Sequence, residues 1–270
     1  LRLSCRPLTD DDAAALAAFL EAGMPADAFL ADALSEGGVG GFFGAWDGPR
    51  LDGAAYLRRG AISAASRTSQ SAAYALSATL AARGPWSSVV GPETPCRAIV
   101  EALRTSSAFR VDRVQAFMAV ARGEPLGPGA PDMRCATVAD LDRVVPLVAR
   151  YRVEDGLSNP GDDHSAWIRA HTLERIQAAH LFVVEDGGRV VFTGAFNFAG
   201  RAGAGLGGIY TVPDARGRGI AGRATAELCR IALQSGPVAT LHVDPKNAAA
   251  IRAYERAGMR RVGEYRLTFR

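Results

Sequence analysis

The chain has 270 residues, 48% apolar and 22% charged, near the roughly 45–50% and 25% of soluble globular chains, so it can bury real cores and is not disordered throughout. Its length exceeds the roughly 100–200 residues of one domain and favours two, while Ala-rich runs such as 72–82 are broken by Ser, Thr and Tyr, which excludes an integral membrane protein. The net charge of +3 comes from 31 basic and 28 acidic residues spread along the chain, which leaves no basic block for nucleic acid.

In the first half, Arg6, Thr9 and Asp12 precede an apolar-periodic stretch, with Thr or Asp suited to accept the free N–H groups of a helix start. Residues 97–103 read as a helix, followed by Phe109 and a strand over 111–120. The segment 122–132 holds three prolines and three glycines, which leave no room for helix or ladder bonds, and the domain boundary is placed there: domains over 1–121 and 133–270 with a linker over 122–132. In the second half, Arg134, Thr137 and Asp140 repeat the first set at an offset of 128 residues. Helices are predicted over 138–152 and 164–179, and strands over 181–185 and 190–198 around the Asp186-Gly-Gly-Arg189 turn. A strand over 206–212, a helix over 219–235, a strand over 238–243, a helix from Asn247 to Ala257 and a strand over 262–269 complete the chain. Met259 answers Phe109 at an offset of 150, so the second half carries about 22 more residues in its middle. Two copies of one fold are expected, each a mixed, mostly antiparallel sheet flanked by helices, in the α/β (α+β) class.

Composition offers little chemistry. Lys246 is the sole lysine, and heavy Arg, Ala and Gly usage reads as codon bias. Cys5, Cys96, Cys135 and Cys229 lie far apart with no CxxC pair, so no zinc site, no other metal and no disulfide framework is expected, and a reducing cytoplasm fits. The N-terminus lacks a basic segment followed by an apolar core, and Leu1 in place of Met suggests that the gene product starts earlier.

The informative segment runs from Ile209 to Arg223. A strand ends at Pro213, which has no N–H for a ladder, and a loop rich in Gly and Arg leads straight into a helix. Gly217 and Gly219 let the backbone approach a ligand, and the unpaired amides of the first helical turn converge on one spot that attracts anions. Arg216 and Arg218 add charge. The segment is neither a P-loop, which needs Gly-Lys-Ser/Thr, nor a GxGxxG fingerprint. Downstream, Asn247, Ala250, Tyr254 and Gly258 form NxxAxxxYxxxG: Asn247 caps a helix, Ala250 and Tyr254 share a face, and Gly258 ends the helix with positive φ.

With these two motifs, residues 133–270 resemble the GNAT superfamily of CoA-dependent N-acyltransferases. Arg216-Gly-Arg-Gly-Ile-Ala221 fits the family's Q/R-x-x-G-x-G/A pyrophosphate loop, and Tyr210-Thr211-Val212 looks like its fourth strand, whose backbone pairs with the pantetheine arm; Met259 stands where Phe is commoner. The resemblance implies that Tyr210, Thr211, Val212, Arg216, Gly217, Arg218, Gly219, Ile220, Ala221, Gly222 and Asn247 bind acetyl-CoA as co-substrate. It implies further that Tyr254 faces the sulfur as general acid, with a backbone N–H near Val212 as oxyanion donor. Some members carry a Glu on the fourth strand, but Gly205-Leu-Gly-Gly208 offers no carboxylate. The base is left open among Glu154, Asp155, His242, Asp244 and a water relay.

At the 150 offset, Asn247, Ala250 and Tyr254 fall on Arg97, Val100 and Arg104, and Ser66–Ser71 stands in place of the glycine loop. The first half is therefore expected to be a degenerate copy that has lost CoA chemistry; the resemblance suggests that it shapes an acceptor cleft, with Phe42, Phe43, Trp46 and Trp86 as lining or, residue by residue, as core. The leading expectation is transfer of an acyl group, most simply acetyl, to a primary amine of a small molecule or peptide by direct attack in a ternary complex, without nucleic acid or membrane. The alternative is a non-catalytic acyl-CoA sensor, and an Arg-rich nucleic-acid binder is disfavoured by the balanced charge.

Overall fold

The computed structural model describes residues 3–103, 109–159, 161 and 163–270. In chain order the elements are β1 (Ser4–Pro7), α1 (Ala13–Glu21), α2 (Ala28–Gly37), β2 (Phe42–Asp47), β3 (Arg50–Arg58), β4 (Ala61–Ala64), α3 (Gln70–Ala81), β5 (Ser88–Pro92), α4 (Glu93–Leu103) and β6 (Val111–Ala121). They continue with β7 (Arg134–Cys135), α5 (Leu141–Glu154), α6 (Ser165–Gln177), β8 (Leu181–Asp186), β9 (Arg189–Gly200), β10 (Gly203–Thr211), α7 (Ile220–Ser235), β11 (Val238–Val243), α8 (Ala248–Ala257) and β12 (Arg260–Phe269). Short 3-10 turns precede α1 and α5 and follow β10.

The chain forms two units, Leu1–Phe117 with Val262–Arg270, and Met118–Arg261. In the first unit the strands lie in the order β1-β2-β3-β4-β5-β12-β6. The steps from β1 to β4 are antiparallel and β4 pairs with β5 in parallel. The last strand of the chain completes this sheet, pairing antiparallel with β5 from Tyr265↔Pro92 to Phe269↔Ser88. In the second unit the order is β7-β8-β9-β10-β11-β6, antiparallel from β7 to β10 and parallel between β10 and β11. Both units thus place two helices after their first strand, then three strands, a helix, a parallel strand and another helix. Much of the extra length of the second lies in its hairpin, where β9 has 12 residues against 9 in β3 and β10 has 9 against 4 in β4.

The entry to each unit is built by the same bonds. Arg6 grips Asp12 at 2.6 and 2.8 Å while the Thr9 amide donates to Asp12 Oδ2 at 2.8 Å. Arg134 grips Asp140 at 2.7 and 2.8 Å while the Thr137 amide donates to Asp140 Oδ2 at 2.8 Å. In each case a carboxylate satisfies helix-start amides that would otherwise lack partners, and the guanidinium balances its charge. Both carboxyl groups are held far below the usual carboxylate range, chiefly by those arginines.

Residues 122–132 lie in the second unit and are bonded to its helices. Arg122 donates to the carbonyls of Leu233, Gln234 and Gly236 at the end of α7, and the Gly127 amide donates to the Ala257 carbonyl of α8 at 3.1 Å. Gly127 has to be glycine, because a Cβ there would stand 2.0 Å from the Arg256 carbonyl oxygen. In the first unit Phe43 and Trp86 pack in one core cluster and Phe42 in another, against which Trp46 leans. These four aromatics therefore pack as core. Arg104, the counterpart of Tyr254, and Leu1 lie outside the described residues.

Candidate functional site

The site begins where β10 leaves its parallel neighbour. The ladder between β10 and β11 spans only Ala204↔Ala239 and Gly205↔Thr240, whereas β10 stays paired with β9 as far as Thr211↔Phe192. The register with β9 shifts between Gly207 and Tyr210, at a bulge where Gly208 takes φ +59°. The glycines here serve cross-strand packing. A Cβ on Gly205 would come within 2.3 Å of the Phe198 ring, and one on Gly207 within 2.5 Å of the Asn197 amide. Past the bulge the β11-facing edge of β10 is left without a strand, which gives an extended ligand a backbone to pair with.

Val212 is buried, and its amide donates to the Val191 carbonyl at 3.0 Å. That N–H is therefore spent on β9, and by strand alternation the amide that faces the open edge belongs to Thr211. Among the described residues the Thr211 Oγ1 is buried without a hydrogen-bond partner. Tyr210 is buried too, and its hydroxyl donates to Glu154 Oε1 at 2.9 Å.

After β10, Val212 to Ala215 make one 3-10 turn, and Gly217 (φ +78°) and Gly219 (φ +76°) carry the chain into α7. Gly219 is the left-handed N-cap of α7, a conformation costly for any residue with a Cβ, and a Cβ on Gly217 would meet nothing within 4 Å. The first backbone bond of the helix runs from the Arg223 amide to the Gly219 carbonyl at 3.2 Å, so the amides of Ile220, Ala221 and Gly222 lie ahead of the ladder. An open glycine loop feeding a bare helix start fits a diphosphate.

Both loop arginines already have carboxylate partners. Arg216 donates to Glu154 Oε2 at 2.7 Å and to the Thr211 carbonyl at 2.9 Å, with its guanidinium 5.4 Å from the Tyr210 ring centroid; Arg218 pairs with Asp186 at 2.7 Å. These pairs are about half exposed and so worth roughly 0–1 kcal/mol each, little enough for an arriving phosphate to compete. The Arg216 and Tyr210 bonds also hold the Glu154 carboxyl below its ordinary range, against the opposing effect of burial. With both oxygens accepting hydrogen bonds, Glu154 is a poor base. Arg223 sits over the loop, donating to the Arg218 carbonyl at 3.2 Å.

Gly222 brings the second motif alongside: a Cβ there would lie 3.3 Å from the Ala253 carbonyl oxygen, so the head of α7 packs closely on α8. Asn247 is exposed and caps α8, its Oδ1 accepting the Ala250 amide at 3.1 Å, and Gly258 closes the helix at φ +106°. Between these caps Tyr254 is 7% exposed. Burial raises its phenol well above the ordinary value, helped by the Asp155 carboxylate, so the proton stays on oxygen at neutral pH. Asp244 accepts the Lys246 amide at 2.8 Å, and His242 lies half-buried in β11.

A separate cleft of about 100 Å³ adjoins Arg218, Ile220 and Arg223. Its lining mixes Asp132, Glu185 and Asp186 with Arg218 and Arg223, and it is too small for a nucleotide.

The model of the Acetyltransferase (GNAT) family matches residues 144–259, the span that holds the bulged strand, the glycine loop and Tyr254. Over residues 144–259 the chain is thus similar to GNAT acetyltransferases. Solved structures share the fold of the whole chain. An acetyltransferase of the GNAT family from Colwellia psychrerythraea matches with TM-score 0.58 at 16% identity, covering 100% of both chains. A GCN5-related N-acetyltransferase from Sphaerobacter thermophilus matches with TM-score 0.58 at 18% identity, over 99% of this chain and 95% of that one. A Drosophila protein matches with TM-score 0.60 at 15% identity, over 98% of each chain. No curated protein matches the chain.

The structure adds residues to the site that sequence reasoning passed over. Arg223 is four residues after Gly219, a spacing that places it on the first turn of α7. Arg175 and Asn197 meet over the β10 bulge, and no local pattern announces that pair. Among the described residues no group of three or more His, Cys, Asp or Glu is arranged to hold a metal, and no helix is long and apolar enough to cross a membrane.

Proposed function

We propose that the GNAT-like domain transfers acetyl from acetyl-CoA to a primary amine by direct attack in a ternary complex. The observation that carries this reading is the open amide head of α7, packed through Gly222 on the helix of a buried, protonated Tyr254. Acetyl-CoA, when bound, supplies a thioester whose acyl carbon accepts a neutral amine. The amides of Gly217 to Gly222 hold the diphosphate, with Arg223 nearest and Arg216 and Arg218 able to leave their carboxylates. The open edge of β10 over Tyr210, Thr211 and Val212 lines the pantetheine arm, and Asn247, the cap of α8, is assigned to the same ligand. The Thr211 amide donates to the oxygen that gains charge as the C–N bond forms, in place of the Val212 amide. Tyr254 gives its proton to sulfur as the C–S bond breaks, and the amine's extra proton leaves through water, since Glu154 stays bonded to the Tyr210 hydroxyl when Arg216 turns to the phosphate.

The first unit offers a contrast in the same fold. At the head of α3, the helix in the position of α7, Ser69 Oγ accepts the Ala72 amide at 3.1 Å and donates to Asp52 Oδ2 at 2.5 Å. That helix start is capped by its own side chain and faces a carboxylate, which supports reading the first unit as a copy without CoA chemistry. The four cysteines are free, and burial pushes the thiols of Cys96 and Cys229 up to about 12.

Release of CoA thiol, followed against a panel of amines, tests the proposal. Transfer requires release that saturates in both acetyl-CoA and amine, with acetylated amine as product. Saturable binding of acetyl-CoA with no amine-dependent release identifies a sensor and refutes catalysis.

A further inference from the structure

Arg175 of α6 is half-buried and makes one side-chain hydrogen bond, from Nη2 to Asn197 Oδ1 at 2.7 Å. A guanidinium has five N–H donors, and among the described residues no carboxylate reaches this one: Glu174, its neighbour, is exposed and turned to His171 Nδ1 at 3.6 Å. Burial lowers the Arg175 pKa, outweighing the opposing charge of Glu174. Its position is specific. A Cβ on Gly208 would lie 3.5 Å from Arg175 Nη1, which puts the free end of the fork over the bulge where β10 parts from β11. A half-buried cation with no carboxylate in hydrogen-bond contact among the described residues leaves room for an anion carried by a ligand, and a guanidinium fork suits a carboxylate in two-point contact.

Resting on the acyl-transfer reading above, we propose that the acceptor is an amine that also carries a carboxylate, and that Arg175, held by Asn197 over the β10 bulge, receives that carboxylate. The carboxylate takes no part in bond making; it fixes the amine nitrogen beside the acyl carbon.

The test compares amino acids and dipeptides, each against its own carboxamide, at matched concentrations of neutral amine. In the unaltered protein kcat/KM favours the carboxylates by about a hundredfold, the size expected of charge-assisted hydrogen bonds. Arg175→Gln brings that ratio down towards one through KM, and Arg175→Lys restores part of it. Calorimetric titration with an N-acetylated amino acid gives a second readout that needs no turnover: it binds the unaltered protein and not Arg175→Gln. Equal use of carboxylates and carboxamides by the unaltered protein overturns this inference and leaves acyl transfer standing. Absence of thiol release with every amine overturns acyl transfer, and titration with the acetylated amino acid then decides the role of Arg175 by itself. A glutamine variant that keeps the full selectivity while folding normally overturns the inference as well.

Discussion

Gly219 is the position at which a single change most cleanly separates backbone strain from charge at the proposed diphosphate site. It caps α7 at φ +76° and ψ 7°, and a Cβ there would meet Arg223 Nη1 at 2.9 Å, the movable tip of an exposed side chain. Gly219→Ala therefore costs about 1–2 kcal/mol of stability from the left-handed backbone alone, and little from contact. Gly219→Glu carries the same backbone cost and adds a negative charge at the helix head. At a separation of about 5 Å from a phosphate, one pair of like charges repels by about 0.8 kcal/mol in water and about 3 kcal/mol at an effective dielectric of 20. Affinity for CoA should thus fall about 4- to 200-fold further in Gly219→Glu than in Gly219→Ala. Calorimetric titration with CoA at low salt reads both, and added salt should narrow the gap, because the repulsion is partly screened. Equal affinities in the alanine and glutamate variants would refute the placement of the diphosphate on these amides.

Tyr254→Phe should lower kcat by about a hundredfold, a modest share for a general acid, while leaving CoA affinity within about twofold; stopped-flow thiol release and calorimetry separate the two, and unchanged kcat would move the proton donor elsewhere. Because burial raises the Tyr254 phenol, the rate should show no loss from its ionisation up to about pH 10, where an ordinary phenol is half ionised. In the first unit Asp27 is fully buried and its carboxyl is pushed up to about 7 by that burial, although Ser66 donates to it through its amide at 2.7 Å and its hydroxyl at 3.0 Å. A raised folded value means that its contribution to stability is complete below about pH 4 and is lost as the pH rises to about 7, by up to about 4 kcal/mol. Denaturant titrations of Asp27→Asn should lack this decline, so its stability relative to the unaltered protein should rise from pH 4 to pH 7; a constant difference would contradict the assignment.

Local chemistry made much of the second unit legible. The helix that opens at Gly219 and the one between Asn247 and Gly258 announce themselves because caps are short-range, and the structure sets them at Ile220–Ser235 and Ala248–Ala257. The entry boxes at Thr9 and Thr137 were visible for the same reason, as was the offset that relates them. Partners distant along the chain were not. Arg216 and Arg218 read as free charges, but their carboxylates lie 62 and 32 residues away, on α5 and at the end of β8. The glycines of β10 read as the lack of a carboxylate; their reason is cross-strand, since Phe198 and Asn197 occupy the space that side chains would fill. The terminal strand was recognisable by its alternation, but pairing with β5 joins positions more than 170 residues apart, which no local pattern encodes. The Pro- and Gly-rich segment was correctly irregular, yet its bonds to α7 and α8 depend on helices folded later in the chain.

The central claim is that the bare amides at the head of α7 hold the diphosphate while the capped head of α3 does not. Backbone amide shifts of uniformly labelled protein, followed while acetyl-CoA is added, address it residue by residue. The account predicts saturable shifts at Gly217, Gly219, Ile220, Ala221 and Gly222, with Gln70, Ser71 and Ala72 unmoved. Silence at the head of α7, or equal response at both helix starts, would contradict it.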